Sequence, residues 1–321
     1  MINRDGLYTR RLESVEGVDI LPGTVYVYQC RQEVRSHLVD MVSSRFKSDV
    51  TYVQLEAVVG DDGAVRVSST GEMIQLSATD RLRSLIFRPG TKNVIFDASG
   101  LEVRILGPLL KVALMMAREI DVHLQVLYVE PSRYKIEKFK EEGEYSDLAE
   151  KIKGIYPITG FGQLGQVYEQ SILVPMLGFQ GCRFTHILSS VDYPNAGIYP
   201  IVGVSGYRPE YPFVAYYGNR QPLLEENAWE HVEYAMAGSI VDSFFALTRI
   251  KDMHARKDII MKIAPIGTKP HAIAALAFAC CYPRTTELVY DNPIRKQVRT
   301  EGVGSISLTC VSDLVKGCYA T

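Results

Sequence analysis

Apolar residues along this chain alternate between short runs, which are typical of buried strands, and longer runs at helical spacing. Short runs predict strands at 24–30, 51–59, 93–96, 122–129 and 305–311. Apolar residues at helical spacing predict helices at 31–47, 78–87 and 103–119. The third helix separates two hydrophobic strands, and this order is the βαβ pattern, whose parallel strands are buried on both faces.

The pattern at 94–131 recurs near the end of the chain, at 259–293. Each block has a hydrophobic strand, a turn with Gly or Pro, an Ala- and Leu-rich helix, and an end with the spacing Tyr-x-x-Pro, at Tyr128 and at Tyr290. The matching order predicts that the blocks superpose as parallel βαβ units. We therefore expect an α/β protein with two Rossmann-like units from an internal duplication. The alternative is that burial alone makes any two βαβ units alike.

Between the two blocks, Gly, Pro and Tyr recur every few residues. We do not expect long helices there, because Gly and Pro interrupt them. The composition divides the chain into an N-terminal Rossmann-like unit at 1–140, a Gly/Pro/Tyr-rich middle segment at 141–225 and a C-terminal Rossmann-like unit at 226–321. An apolar stripe over 225–256 predicts one long helix at the start of the last segment.

The composition narrows the possible partners. The chain has 321 residues, a 47% hydrophobic fraction and a formal net charge of −2. These values are typical of a globular protein, and no extended nucleic-acid binding is expected from them. The absence of an apolar signal core or of a long apolar run predicts a cytoplasmic protein without a membrane contact. The six cysteines form no C-x-x-C pair, so we expect reduced thiols and no bound metal. We also expect no cofactor.

The second block carries Gly267, Thr268 and Lys269 where a strand turns into a helix. Backbone N–H groups at a helix N-terminus hold anions, with Lys269 as a counter-charge and Thr268 as a donor. The alternative is ordinary capping, in which Gly267 ends the strand, Thr268 caps the helix and Pro270 fills the first turn. Capping explains every residue of the turn except the lysine.

Ligands of open α/β sheets lie beyond the carboxyl ends of the strands. This rule selects the turns after the first strand of each block and the two Tyr-x-x-Pro ends, and the two halves are expected to face each other across one cleft. Asp97 and His271 are the candidate acid/base groups. The expected ligand-binding residues are Ser99, Gly100, Tyr128, Gly267, Thr268, Lys269, Tyr290 and Asn292.

The segment from Ile260 to Pro270 resembles the ligand loop of CRISPR-associated Rossmann-fold (CARF-like) sensors and their relatives in bacterial antiphage signalling. Members of that family bind cyclic oligonucleotides or related nucleotides between two Rossmann-like units, and some cleave them slowly. The resemblance implies that Gly267, Thr268 and Lys269 contact ligand phosphate. It also implies that the turn at 97–100 supplies the partner surface.

Three functions remain open at the level of sequence. The first is a nucleotide-sensing or adaptor module of a bacterial defence system, acting with a partner protein or as a homo-oligomer. The second is an enzyme that acts on a nucleotide or phosphorylated small molecule in the same cleft, with Lys269 as an anion clamp. The third is a structural subunit that uses its Tyr-rich middle segment as a protein interface.

Overall fold

The computed structural model describes residues 4–46, 50–135, 149–162, 168–192, 194–255, 259–295, 300–316 and 318. The strands, in chain order, are Thr9–Leu12 (β1), Thr24–Tyr28 (β2), Val50–Val58 (β3), Asp61–Val67 (β4), Met73–Gln75 (β5), Asn93–Asp97 (β6), His123–Val129 (β7), Arg133–Tyr134 (β8), Ala149–Ile152 (β9), Gln170–Pro175 (β10), Ile201–Gly203 (β11), Glu233–Ala235 (β12), Ile259–Ala264 (β13), Thr286–Leu288 (β14), Pro293–Arg295 (β15), Thr300–Glu301 (β16) and Ile306–Cys310 (β17).

The helices, in the same order, are Asp5–Tyr8 (α1), Leu38–Arg45 (α2), Thr79–Ile86 (α3), Val103–Met116 (α4), Gly181–Ser190 (α5), Tyr211–Glu225 (α6), Ile240–Met253 (α7), Lys269–Cys281 (α8) and Val311–Lys316 (α9). The chain forms two compact units. The first unit contains Met1–Lys135 and Gln297–Thr321, and the second contains Ile136–Lys296.

The first unit is built on an eight-stranded mixed sheet with the order β1-β17-β7-β6-β2-β3-β4-β5. Its centre is parallel: β3, β2, β6 and β7 all run in one direction. The outer strands pair antiparallel. All five residues of β6 are buried, as is expected for a central parallel strand covered on both faces. Apolar residues of α2 pack with β2, β6, β7 and β17 in one core cluster.

The second unit has a parallel sheet of its own. Strand β13 lies between β10 and β14 and is parallel to both. Single parallel bridges, Leu173 to Ile198 and Met176 to Ile201, join β10 to the segment that includes β11, and β11 pairs with β12. The spatial order is therefore β14-β13-β10-β11-β12. Helices α5 and α6 pack together with β10 and β11, and α7 contacts α8 through the rings of Phe244 and Phe278.

Short antiparallel pairs flank the point where the chain leaves the first unit and returns to it. Strand β8 pairs with β16 within the first unit, and β9 pairs with β15 within the second. The second unit is therefore a continuous insertion between two paired segments of the first. These limits differ from the three segments expected from composition, because composition does not show that the last strand, β17, joins the sheet of the first unit.

The structure confirms the predicted strands at 24–30, 51–59, 93–96, 122–129 and 305–311 and the helices at 78–87 and 103–119, with small shifts of their ends. In both blocks the two strands are parallel and a helix connects them, as expected. The helix predicted at 31–47 begins with a 3-10 turn at Val34–His37 and becomes α-helical only from Leu38 to Arg45.

Two predictions about the middle of the chain are wrong. The middle segment contains α5 and the fifteen-residue helix α6, although Gly and Pro are frequent there. The segment expected as one helix at 225–256 instead forms a 3-10 turn, strand β12 and then α7. The apolar stripe that suggested one helix comes partly from the strand, whose last residue, Ala235, is also buried.

Gly100 allows the turn after β6 to touch the chain after β2. A Cβ atom at this position would lie 1.7 Å from the carbonyl oxygen of Gln29 and 3.1 Å from Cβ of Ser36. A backbone oxygen cannot move away without disturbing the end of the strand. Glycine is therefore required here for close packing of two backbone segments.

We expect Gly100→Ala to lower the free energy of unfolding by about 3 kcal/mol or more, because the added methyl group overlaps a fixed backbone carbonyl. The matched control is Gly6→Ala, at a helical position where a Cβ meets no atom within 4 Å. That control should change stability by less than about 1 kcal/mol. Urea denaturation of both variants measures the difference, and equal effects would show that the contact at Gln29 is not limiting.

Candidate ligand site

The reversal of strand order in the second unit marks a candidate site. From β10 the chain builds outward through β11 and β12, then returns through α7 to β13 on the other side of β10. In open α/β sheets, ligands bind beyond the carboxyl ends of the strands at such a reversal. These ends are Pro175 of β10 and Ala264 of β13. The turn with Gly267 and Lys269 follows β13 directly, so it lies at this edge.

Thr268 caps α8 as the sequence predicts. Its hydroxyl oxygen accepts a hydrogen bond from the backbone N–H of His271 at 3.4 Å and donates one to the carbonyl oxygen of Ala237 at 2.7 Å. Pro270 lies in the first turn, where its missing N–H costs nothing. A Cβ atom at Gly267 would lie 2.6 Å from the carbonyl oxygen of Leu177, so this glycine permits close backbone packing. Both residues thus have local structural roles.

Lys269 is only 7% exposed although it is the first residue of α8. The positive end of a helix dipole makes a cation unfavourable there by roughly 0.3–1 kcal/mol, and burial of an ammonium group adds to that cost. An anion bound at the same helix terminus would offset both the cost from the helix dipole and the cost of burying the ammonium group. The sequence located this lysine correctly at the start of the helix, and the structure adds that it is buried.

His271, two residues further along α8, is fully buried. Neither ring nitrogen makes a well-formed hydrogen bond, although the ring has a weak polar contact with the backbone of Met236. Burial lowers the pKa of His271 to about 4, and the Met236 contact opposes this shift only in part. The ring is therefore neutral at pH 7. A neutral imidazole offers one N–H donor and one acceptor, and leaving such groups unpaired in the interior costs about 1–3 kcal/mol.

The surroundings of His271 come from the ends of β11 and β12. A Cβ atom at Gly203, the last residue of β11, would lie 3.5 Å from Cε1 of the ring. The segment after β12 runs into the N-cap of α7, where the side chain of Ser239 accepts a hydrogen bond from the N–H of Asp242. The carboxylate of Asp242 in turn accepts from the N–H of Met236 at 2.7 Å. The N-terminal ends of α7 and α8 therefore meet at this edge.

A buried ion pair closes the other side of the same edge. The guanidinium of Arg183, in the first turn of α5, donates two hydrogen bonds to the carboxylate of Asp291, at 2.7 and 2.5 Å. A third donor reaches the carbonyl oxygen of Ile266 at 2.6 Å. Sequence reasoning missed this pair, and the signal available for it was an acidic residue inside the second Tyr-x-x-Pro end.

Tyr290 and Asn292 flank this ion pair. Tyr290 is buried. Asn292 has a φ of 45°, in the left-handed region that asparagine tolerates better than most residues, and its side-chain amide donates to the carbonyl oxygen of Tyr290 at 3.0 Å. In the structure Asn292 therefore holds the local backbone. Its expected contact with a ligand stays a prediction.

The predicted residues of the first unit also lie together, at the carboxyl edge of their own sheet. Asp97 is buried and accepts hydrogen bonds from the hydroxyl of Tyr26 at 2.8 Å and from the N–H of Ser99 at 2.9 Å. Burial raises the pKa of Asp97, while the hydrogen bonds from Ser99 and Tyr26 oppose that shift. The hydroxyl of Ser99 accepts from the N–H of Val129 at 3.0 Å. Asp97 and Ser99 therefore bind groups of their own unit.

Tyr128 takes part in a second buried contact of the first unit. Its hydroxyl accepts a hydrogen bond from the guanidinium of Arg35 at 3.2 Å, and the same guanidinium donates to the carbonyl oxygen of Val129 at 3.2 Å. Glu33 balances the charge of Arg35 through two further hydrogen bonds. An arginine at the start of a helical segment thus reaches the Tyr-x-x-Pro end in this unit also.

Comparison with models of known protein families found no match, and comparison with curated proteins found no relative above the significance threshold. Within the described parts of the chain, no helix combines the length and the apolar character that a membrane crossing requires.

We expect Arg183→Met to destabilise the protein by about 3–5 kcal/mol, because it leaves the carboxylate of Asp291 buried without its partner. The same substitution at Arg249, whose pair with Glu233 is half-exposed, should cost less than about 1 kcal/mol. Chemical denaturation of the two variants tests this. The double substitution Arg183→Met with Asp291→Leu should recover part of the loss, and a double variant less stable than Arg183→Met would contradict this account.

The lowered pKa of His271 predicts a stability that depends on pH. The unfolded chain binds a proton at this residue below about pH 6.5, whereas the folded chain does so only near pH 4, so stability falls as the pH drops through this window. Between pH 7 and pH 5 the native protein should lose about 2 kcal/mol more than His271→Gln. Urea denaturation at both pH values measures this, and parallel losses in the two proteins would refute the assignment.

Proposed function

We propose that the protein is a nucleotide- or phosphate-binding sensor or adaptor module. The ligand would lie at the carboxyl edge of the second unit's sheet, at the N-terminus of α8. One observation carries this proposal: the first turn of α8, at the reversal of strand order, contains the buried Lys269 and the buried His271, whose ring has only a weak polar contact with the backbone of Met236. An anionic ligand with hydrogen-bonding oxygens would give the imidazole a hydrogen-bond acceptor and would place a negative charge at the positive end of the helix dipole.

Phosphate suits the chemistry of this edge. The N-terminus of α8 carries the partial positive charge of the helix dipole, and Lys269 adds a full positive charge. Neutral His271 can donate one hydrogen bond to a phosphate oxygen through its protonated ring nitrogen. Thr268 already uses its hydroxyl within the protein, so we assign ligand contact first to Lys269 and His271 and only secondarily to Gly267 and Thr268.

The internal comparison of the two units supports a Rossmann-like duplication. In each unit the first parallel strand, β2 or β10, lies between two strands that come later in the chain. The chain first adds β3 or β11 on one side of it and then returns to add β6 or β13 on the other side. In each unit the turn after β6 or β13 contains a glycine, Gly100 or Gly267, whose backbone packs against the chain just after β2 or β10. In each unit the helical segment after β2 or β10 contains a buried arginine, Arg35 or Arg183, which donates hydrogen bonds to the Tyr-x-x-Pro end of that unit.

The role of a sensor or adaptor fits this chemistry better than catalysis does. Asp97 is buried and already accepts hydrogen bonds within the first unit. With a pKa of about 4, His271 is a weak base at neutral pH. The resemblance of the Ile260 to Pro270 segment to CARF-like sensors suggests a nucleotide ligand and a place in bacterial antiphage defence. In this proposal the bound state is passed to a partner protein or to a second copy of the chain.

A thermal-shift titration tests the proposal. The purified chain is incubated with inorganic phosphate, ATP, a cyclic dinucleotide and cyclic oligoadenylates, and a ligand that binds the folded state raises Tm. We expect Lys269→Met to weaken binding of the responding ligand about 10- to 100-fold, from the roughly 1.5–3 kcal/mol of a charge-assisted hydrogen bond. The variant should still fold, because the substitution removes an unfavourable charge from the positive end of the helix dipole, and its Tm without ligand is measured beside that of the native protein.

The matched control is Lys262→Met. Lys262 lies on β13, and its ammonium group is 3.5 Å from the carbonyl oxygen of Asp192, which follows α5 at the opposite edge of the sheet. This variant should keep the ligand response of the native protein. The proposal fails if no phosphate-bearing ligand changes Tm or if both variants weaken binding equally. Mass analysis of the ligand after incubation distinguishes a sensor, which returns it intact, from an enzyme.

A further inference from the structure

Three side chains with metal-binding atoms meet in the first unit, where β7 begins and β17 ends. His123 is the first residue of β7, Cys310 is the last of β17, and Asp313 lies in the first turn of α9. Because β17 runs antiparallel to β7, the start of one strand lies beside the end of the other. One ligand atom from each side chain lies within 4.8 Å of the other two.

We propose that His123, Cys310 and Asp313 bind a divalent metal ion of the zinc class, with water as the fourth ligand. Imidazole nitrogen, thiolate sulfur and carboxylate oxygen are the three donor types that zinc takes in proteins. Ligand atoms around one tetrahedral zinc lie about 3.3–3.8 Å apart, given its usual bond lengths. Sγ of Cys310 donates a hydrogen bond to Oδ2 of Asp313 at 3.1 Å, and all three donors lie within 4.8 Å of one another, so they must close up by as much as about 1 Å to enclose the ion.

The groups behind these donors resemble the outer shell of a metal site. The second oxygen of Asp313 is 2.7 Å from the ammonium group of Lys316, which fixes the carboxylate and balances its charge. The hydroxyl of Ser312 lies 3.5 Å from Sγ of Cys310 and accepts a hydrogen bond from the N–H of Leu124. Ligating carboxylates and thiolates are commonly oriented in this way, and such contacts tune the affinity for the metal.

A catalytic thiol is the alternative interpretation of a Cys, His and Asp group. A nucleophilic cysteine needs a lowered pKa, with a cation close to its sulfur. Here the charged group in contact with the sulfur of Cys310 is an anion, the carboxylate of Asp313, at 3.1 Å. A bound metal ion changes this balance, because coordination displaces the thiol proton to solvent and leaves a thiolate on the metal.

The site would join the last strand and α9 to the centre of the first sheet. It lies in a different unit from the proposed ligand site and does not depend on the proposed function. It is opposed to the sequence-based expectation that no cysteine binds metal. Spacing along the chain could not reveal it, because the whole second unit lies between His123 and Cys310 in the sequence.

Titration of the metal-free full chain with cobalt(II) chloride tests the site, because cobalt bound to a thiolate gives charge-transfer and tetrahedral ligand-field absorption. The variants are Cys310→Ser, His123→Gln and Asp313→Asn. The controls are Cys182→Ser, at an exposed cysteine of the second unit, and His37→Gln, at an exposed histidine beside Asp40. Zinc(II) is then added to displace the cobalt, and Tm is measured with and without zinc.

We expect one equivalent of cobalt to give the thiolate band in the native protein and in both controls, and zinc to abolish it and raise Tm. Cys310→Ser should lose the band, and His123→Gln and Asp313→Asn should bind at least about tenfold more weakly. Because the side chain of His123 is exposed, His123→Gln should fold normally even if Cys310→Ser does not. A folded native protein without a thiolate band, or a band that survives in Cys310→Ser, overturns the proposal.

Discussion

Parallel strands must be covered on both faces, and this constraint decides where polar chemistry can occur in the protein. In β6 and β13 nearly every side chain is buried, so the faces of the sheets offer little room for charged groups; Asp97 is the last residue of β6, and Lys262 of β13 is partly exposed. Polar groups are left at the ends of the strands, where the chain turns and backbone N–H and C=O groups need partners. Such ends hold the threonine that caps α8, the buried arginines and the three side chains proposed to bind metal.

The two sheet edges that contain predicted ligand-binding residues differ in how many of their buried polar groups have hydrogen-bond partners. In the first unit the hydroxyl of Tyr26 and two backbone N–H groups pair with Asp97 and Ser99, and the result is a closed network. In the second unit Arg183 and Asp291 form hydrogen bonds with each other, whereas the ring of His271 makes no well-formed hydrogen bond. An incompletely satisfied polar group inside a packed edge is a cost that a bound molecule can remove.

The sequence predicted the elements whose burial leaves a strong pattern. The runs at 93–96 and 103–119 are apolar enough to identify β6 and α4, and Thr268 with a proline two residues later identifies the start of α8. It did not predict α5 and α6, because Gly181 and Gly218 looked like helix breakers. They allow the two helices to approach: a Cβ at Gly181 would lie 1.8 Å from the carbonyl oxygen of Gly218. Pairs such as Arg183 with Asp291 depend on contacts between distant segments, which local patterns do not encode.

The insertion of the second unit between β8 and β16 has a consequence for the order in which the protein can form during synthesis. Strand β17 lies between β1 and β7 in the first sheet, yet it leaves the ribosome after the whole second unit. Strand β1 therefore has no neighbour in that sheet until the second unit and then β17 have been synthesised. The second unit is continuous in sequence and can fold first, while the first sheet waits with an unpaired edge on β7. Such an edge invites pairing with other chains, so slow translation of the inserted unit would favour chaperone binding or aggregation of the nascent protein.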